Sequence, residues 1–583
     1  MYKLLLFACL FAAPALSQSA GQPQLASDVA RRLGETDQPV KVWVFFSDKG
    51  ITSPAERTAA LDMVEAGYGA RAIERRHLRG QGATLFGDTD LPVAARYLDA
   101  VEDTGAEVVT ASSWLNAASV WIDNQEEARA LAALPMVSSM KLVGKSVHNT
   151  LAMPPAPAPK SAAGFYGQTQ AQLDQISLTP LHAKGFTGVG VVIGVLDSGF
   201  RLDHDAFNQT GHALNVLASW DFVNNDANVG PESGDVAGQS DHGTMVLSTI
   251  AGYFPNTFVG GAYDASFVLA KTEDIGSETQ VEEDYYVQGL QFIEAQGADV
   301  ATSSLGYIDW YSQSQLNGLT AVTTKAVNIA TQNGVFCCTA AGNSGNDTDA
   351  ATSHLIAPAD ALQVISCGAV DSANVLVSFS SDGATADGRT KPEVLALGLS
   401  TLAVSPADTT SYVTVSGTSL STPLVASAVA CLAGAHPTWS VATMRNQLFT
   451  TADSIGAAQP DPLFAAGYGL VDALEADEHL DLVPLDPGIS GGTSTVLVSG
   501  ATPGATVWMV WGLGAGNVTI PGCGPVTVGI AAPQVYAALV ADATGSGSFS
   551  VPVPAGLAGL GIYMQLAELS SCRASNLGFS VLQ

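Results

Sequence analysis

Short, unbroken apolar runs separated by amphipathic stretches fill the middle of the chain, at residues 191–196, 266–270, 298–303, 334–341 and 361–369. A strand that is apolar without alternation must be covered on both faces, so these runs predict a parallel sheet with helices packed on either side. Upstream, residues 40–143 read as strand, helix, strand, helix, strand. Val42, Trp43, Val44, Phe45 and Phe46 make the first strand, residues 91–102 have helical spacing, residues 107–110 open a second strand, and Asn124 caps a short helix running to Leu134. Residues 151–159 then alternate proline with small residues, an extended stretch that can be neither helix nor central strand and so marks a boundary. Past Pro484 the texture changes to short alternating runs at 495–498, 506–510, 548–551 and 561–565 between Gly and Pro turns, the pattern of a β-sandwich. The fold class predicted is α/β, a parallel sheet flanked by helices, with an N-terminal α+β domain and a C-terminal β-sandwich. The segments are 1–17, 18–150, a linker at 151–165, 166–482 and 486–583.

Composition narrows the possible partners. The 583 residues hold 54 acidic against 23 basic side chains, a formal charge of −31, so phosphate backbones and anionic lipid are repelled and nucleic acid is excluded as a partner. A lysine, an apolar run and a small-residue exit within residues 1–17 have the order of a secretory signal peptide, which predicts a secreted, extracellular protein. Beyond Ala20 no uninterrupted apolar run reaches the roughly 18 residues of a membrane-spanning helix. Of seven cysteines, Cys9 leaves with the signal. Outside the cell the remaining even number permits disulfides. Cys523 and Cys572 share one terminal segment and are expected to bridge, whereas Cys337, Cys338, Cys367 and Cys431 sit in apolar runs as buried thiols. No Cys-x-x-Cys spacing supports a zinc site.

Three stretches carry chemistry. Gly417-Thr418-Ser419-Leu420-Ser421-Thr422-Pro423 places a hydroxyl where a helix begins, facing unpaired N–H groups, with Pro423 read as a first-turn residue. The apolar run at 191–196 ends in Asp197, and Asp241-His242-Gly243-Thr244 opens an apolar helix with an imidazole. A serine hydroxyl is a weak nucleophile and needs a base within hydrogen-bond reach, itself oriented by a third group. His242 can be that base and Asp197 its orienter, with the adjacent Asp241 the weaker alternative. Asn343, just beyond another strand end, offers an amide donor for the oxyanion that attack on a carbonyl creates.

Read in the order Asp, His, Ser, these motifs resemble the subtilisin-like serine peptidases. The resemblance implies a secreted endopeptidase that hydrolyses peptide bonds through an acyl-enzyme, with Asp197, His242 and Ser419 as triad and Asn343 completing the oxyanion hole. It also implies that Ser304, Leu305 and Gly306 line the substrate path, and that the partners are polypeptide substrates. Segment 18–150 looks like the family's propeptide, an intramolecular chaperone and inhibitor removed by self-processing near the linker. No cofactor is expected for the chemistry and no metal at the site. Structural calcium is common in the family, and the acidic loop at 221–226 offers oxygen ligands, with no ligand set assigned. The alternative is a non-catalytic surface-binding protein that keeps a peptidase-like fold.

Overall fold

The structure is a computed structural model. It describes residues 26–82, 84–143, 153–157, 164–276, 282–308, 311–347, 349–455, 460–483, 491–520, 522–523, 527–542, 545–575 and 578–582. The expected signal segment 1–17 and most of the linker lie outside the described residues.

The chain divides into two units, one of residues 1–57 with 91–143 and one of residues 58–90 with 144–583. The first unit is built on a four-stranded antiparallel sheet in the order Glu107–Ser112, Ala117–Ile122, Val40–Phe46, Val137–Leu142. The central strand Val40–Phe46 buries Val42, Trp43 and Val44 completely. Asn124 caps the helix Gln125–Ala133, its side chain accepting from the N–H groups of Glu126 and Glu127, as its position before an acidic first turn predicts. The helix expected from residue 91 starts instead at Ala95. The preceding Pro92 holds Leu91 out of the helical region.

The second unit holds an eight-stranded parallel sheet. Its order is Gly469–Leu470, Val394–Leu397, Ile365–Val370, Phe336–Ala340, Val300–Ser303, Val192–Asp197, Ser266–Lys271, Asn215–Asp221. Val192–Asp197 is central. The chain first runs to the edge strand Asn215–Asp221, returns to Ser266–Lys271 beside Val192–Asp197, and then crosses to Val300–Ser303 on its other side, which makes a topological switch point between Val192–Asp197 and Val300–Ser303. At such a point the connections leave in opposite directions and open a crevice at the carboxyl ends. The helix Thr418–Ala435 packs across the sheet, and 89% of it is buried. Its mean hydropathy of 1.4 reflects a helix enclosed on every side by the core.

The C-terminal region pairs two antiparallel sheets over one core. Asp481–Val483, Thr493–Ser499 and Gly547–Pro552 form one; Gln534–Val540, Thr506–Gly512, Gly561–Glu568 and Arg573–Ala574 lead the other. Val496, Val498, Val507, Met509, Phe549, Met564 and Leu566 fill the space between them. The expected disulfide Cys523–Cys572 is present, and Cys337, Cys338, Cys367 and Cys431 are buried thiols.

Candidate active site

Asp197 is the last residue of its strand and is fully buried. One carboxylate oxygen accepts from the backbone N–H of Ser198 at 2.7 Å and from the Ser198 hydroxyl at 3.2 Å. The same oxygen lies 2.7 Å from Nδ1 of His242, which therefore donates to it. His242 is the second residue of the helix Asp241–Ala251. That helix comes close because residue 243 is glycine: a Cβ there would lie 2.3 Å from the Gly199 carbonyl oxygen and 3.0 Å from Asp197. Gln239 ties neighbouring loops together, donating to the carbonyls of Ser198 at 2.8 Å and Glu273 at 2.6 Å. Nε2 of His242 is buried and makes no hydrogen bond. Burial alone would push the His242 pKa down. The Asp197 charge, its hydrogen bond and the more distant Glu273 together outweigh burial and hold it above the ordinary histidine value.

Ser419 is the second residue of the helix Thr418–Ala435 and is buried. Its next neighbour Leu420 packs in one apolar cluster with Met245 from the His242 helix and with Val415. Asn343 follows the strand Phe336–Ala340 after Gly342, whose φ of +119° an L side chain rarely adopts. Its Oδ1 accepts from both the backbone N–H and the hydroxyl of Thr418, at 2.9 Å each. The backbone N–H can only donate, so the amide oxygen faces Thr418 and the NH₂ end is directed away from it.

Pro423 differs from its expected place: it lies inside the helix rather than in the first turn. Residue 423 would normally donate its N–H to the carbonyl of Ser419, four residues back, and proline has none to give. The Ser304 hydroxyl fills that role, donating to Ser419 O at 2.8 Å. Ser304 and Leu305 are both buried. Gly306 lets Ile356 approach, since a Cβ there would sit 2.0 Å from Ile356 Cδ1.

The sequence brought forward Asp197, His242, Asn343, Ser419 and Ser304, Leu305 and Gly306; the structure places Asp197, Ser304, Leu305, Gly306 and Asn343 at or just beyond the carboxyl ends of adjacent strands, joins His242 to Asp197, and ties the start of the Ser419 helix to Ser304 and Asn343. The Asp241 side chain makes no hydrogen bond or ion pair with the His242 imidazole. Missed were Ser198, which braces Asp197, Thr418, which aims Asn343, and Glu273, whose charge reaches His242. Each adjoins a motif or strand end, but single serines, threonines and acids there usually serve turns.

The loop at 221–226 does not fit calcium. Asp221, Asp226 and Glu232 bring carboxylate oxygens within 4.8 Å of one another. The Lys271 ammonium already lies 2.8 Å from Asp221, while the Asn224 and Asn228 amides donate to Glu232 at 2.8 and 2.6 Å. Cationic and N–H groups occupy the positions from which a metal would draw its oxygens.

Comparison with known proteins bears on the family and the fold. Residues 188–469 match the subtilase family, and residues 41–158 match a peptidase S8 propeptide domain of Bacteroidota. Subtilisin from Bacillus pumilus is 32% identical over 304 residues, 52% of this chain and 97% of that protein. Subtilisin E from Bacillus subtilis is 29% identical over 409 residues, 70% of this chain and 92% of that protein. Among solved structures, fervidolysin from Fervidobacterium pennivorans, described as a keratinolytic enzyme related to subtilisin, shares the fold. It has a TM-score of 0.50 at 16% identity, covering 91% of this chain and 87% of that one. The chain belongs to the subtilase family, a serine endopeptidase made with a propeptide ahead of its peptidase domain.

Proposed function

We propose that this is a secreted endopeptidase in which Ser419 is the nucleophile, His242 the general base and acid, and Asp197 the group that orients and charges the base. Ser419 Oγ attacks the scissile carbonyl carbon and its proton passes to His242 Nε2. The oxyanion is received by the Asn343 NH₂ group and the Ser419 backbone N–H at the helix start. His242 returns the proton to the leaving amine, the C–N bond breaks, and a water activated by the same imidazole releases the acyl group. Extended polypeptide lies along the backbone of Ser304, Leu305 and Gly306, gaining affinity by strand addition. Calcium plays no part in this scheme.

The observation that carries the reading is the 2.7 Å Asp197–His242 contact with a buried, unpartnered Nε2 on the opposite side of the ring. An orphaned ring nitrogen in a protein interior is costly unless it has a task. Self-processing has its own support: Met153–Pro157 pairs antiparallel with Tyr412–Ser416 in the register Pro157 to Val413 and Met153 to Ser416. Read backward from Pro157, the linker therefore runs toward Ser419, three residues beyond Ser416.

Ser419→Ala tests this. Expressed without other proteases, the variant precursor keeps its propeptide while the wild type sheds it, and turnover of a peptide substrate falls by about 10⁶-fold. Normal maturation of the variant would exclude self-processing, and retained turnover would exclude Ser419 as nucleophile.

A further inference from the structure

The amino ends of the same strands, opposite the candidate site, carry a second charged assembly that the chemistry does not use. The helix Ala70–Arg79 brings Arg71, Arg75, Arg76 and Arg79 to this end. Arg75, Arg76 and Arg79 are 2%, 4% and 6% exposed, unusual for a residue that normally keeps its charge in water. Two carboxylates from beyond the propeptide match receive them, while Asp90, inside that match, also holds Arg76 at 2.8 Å. Glu294, in the last turn of the helix Glu283–Ala295 and fully buried, pairs with Arg75 and accepts from Arg76 at 2.9 and 3.0 Å. Asp299, just ahead of the strand Val300–Ser303, pairs with Arg71 and lies 3.1 Å from Arg79. Arg75 also donates to the carbonyls of Glu294 at 2.9 Å and Ala298 at 2.8 Å. Arg79 donates to Pro437 O at 3.0 Å.

The receiving surface is shaped for this helix. Gly297 and Gly334, each at a φ of more than +80°, would put a Cβ 3.0 Å from Arg71 Cβ and 2.7 Å from Arg79 Cβ respectively. Glu294, Gly297, Ala298 and Asp299 precede the strand Val300–Ser303 and Gly334 precedes Phe336–Ala340, two strands whose far ends lead to Ser304 and Asn343. Val192–Asp197 has six residues, so about 20 Å of sheet separates the two ends at roughly 3.3 Å per residue.

The arginine helix falls within the 41–158 propeptide match, so it departs if the precursor is cut at the linker, the reading on which this inference rests. Glu294 and Asp299 are then left facing solvent. We propose that the amino end of the catalytic sheet is a second propeptide-binding site, an acidic socket of Glu294 and Asp299 that recognises an arginine-rich helix and retains the severed propeptide independently of the catalytic cleft. Retention through guanidinium–carboxylate pairs, of which Arg76–Glu294 is bidentate, also makes release sensitive to salt once the rim opens.

The test uses the full chain carrying Ser419→Ala and a recognition sequence for an external, site-specific protease placed ahead of Met153. Cleavage then needs no activity of the chain itself, so this test stands even if the catalytic reading fails. After cutting, propeptide retention is followed by size exclusion and its dissociation rate is measured across a NaCl series. Arg71→Ala, at the partly exposed rim, should speed release about 3- to 10-fold. Arg75→Gln combined with Arg76→Gln should speed it at least 100-fold, and rising salt should speed release of the unsubstituted fragment. In chains with Ser419 intact, the same arginine variants should shorten the lag before activity appears, with kcat and KM of the released enzyme unchanged. Equal release rates in all chains without salt dependence would overturn the socket, and the Arg71→Ala and salt arms decide the matter even if the doubly substituted chain fails to fold.

Discussion

At the scale of single residues, the site is governed by what surrounds His242. Burial favours the neutral ring, yet Asp197 together with Glu273 more than reverses this and the imidazolium gains ground. The proposed mechanism needs His242 neutral, so kcat/KM should fall as pH drops through a pKa above the ordinary value of about 6.5. Asp197→Asn removes the charge and leaves the burial, which moves that acid limb to lower pH while kcat falls by about 10⁴-fold. A pH–rate profile of both proteins checks it, and an acid limb that stays in place would show that Asp197 does not set the base. The residues of this pair were legible because each must occupy a defined end of an element: a carboxylate closing an apolar run, an imidazole opening an apolar helix. Ser198 and Thr418 were not, because a hydroxyl that braces another side chain leaves no periodic trace.

At the scale of elements, continuous apolarity located five of the six inner strands and overlooked the others for a physical reason. Asn215–Asp221 lies at the sheet edge and is half exposed, so its pattern is mixed. Val394–Leu397 and Gly469–Leu470 are too short to stand out. The proline-rich linker, read as extended, does pair, and it does so at an edge, where a missing N–H is tolerated. Pro423 shows how an element and a site are joined. It withholds the helical N–H from the Ser419 carbonyl, and Ser304 supplies a hydroxyl instead. Ser304→Ala should leave that buried carbonyl without its donor, at a cost of about 1–3 kcal/mol, and lower kcat. Pro423→Ala restores a backbone donor, so the double variant should recover part of both losses. A double-mutant cycle on urea stability and kcat measures this, and strict additivity would contradict the coupling.

At the scale of the whole molecule, local pattern gave the succession of a small α+β domain, a parallel α/β domain and a sandwich. It could not give the arginine helix, which reads locally as a solvated cationic surface. Its partner Glu294 lies 219 residues beyond Arg75, and only folding brings the two together. The Cys523–Cys572 bridge was legible because both cysteines lie in the sandwich. The central claim is that carboxylate, imidazole and hydroxyl act as one unit. The most direct measurement is mass-spectrometric mapping of a fluorophosphonate adduct on the mature, folded enzyme with and without His242→Ala. The account predicts one adduct, on Ser419, lost when the imidazole is removed. Intact enzyme that resists the reagent, or is modified at Ser419 regardless of His242, would contradict it.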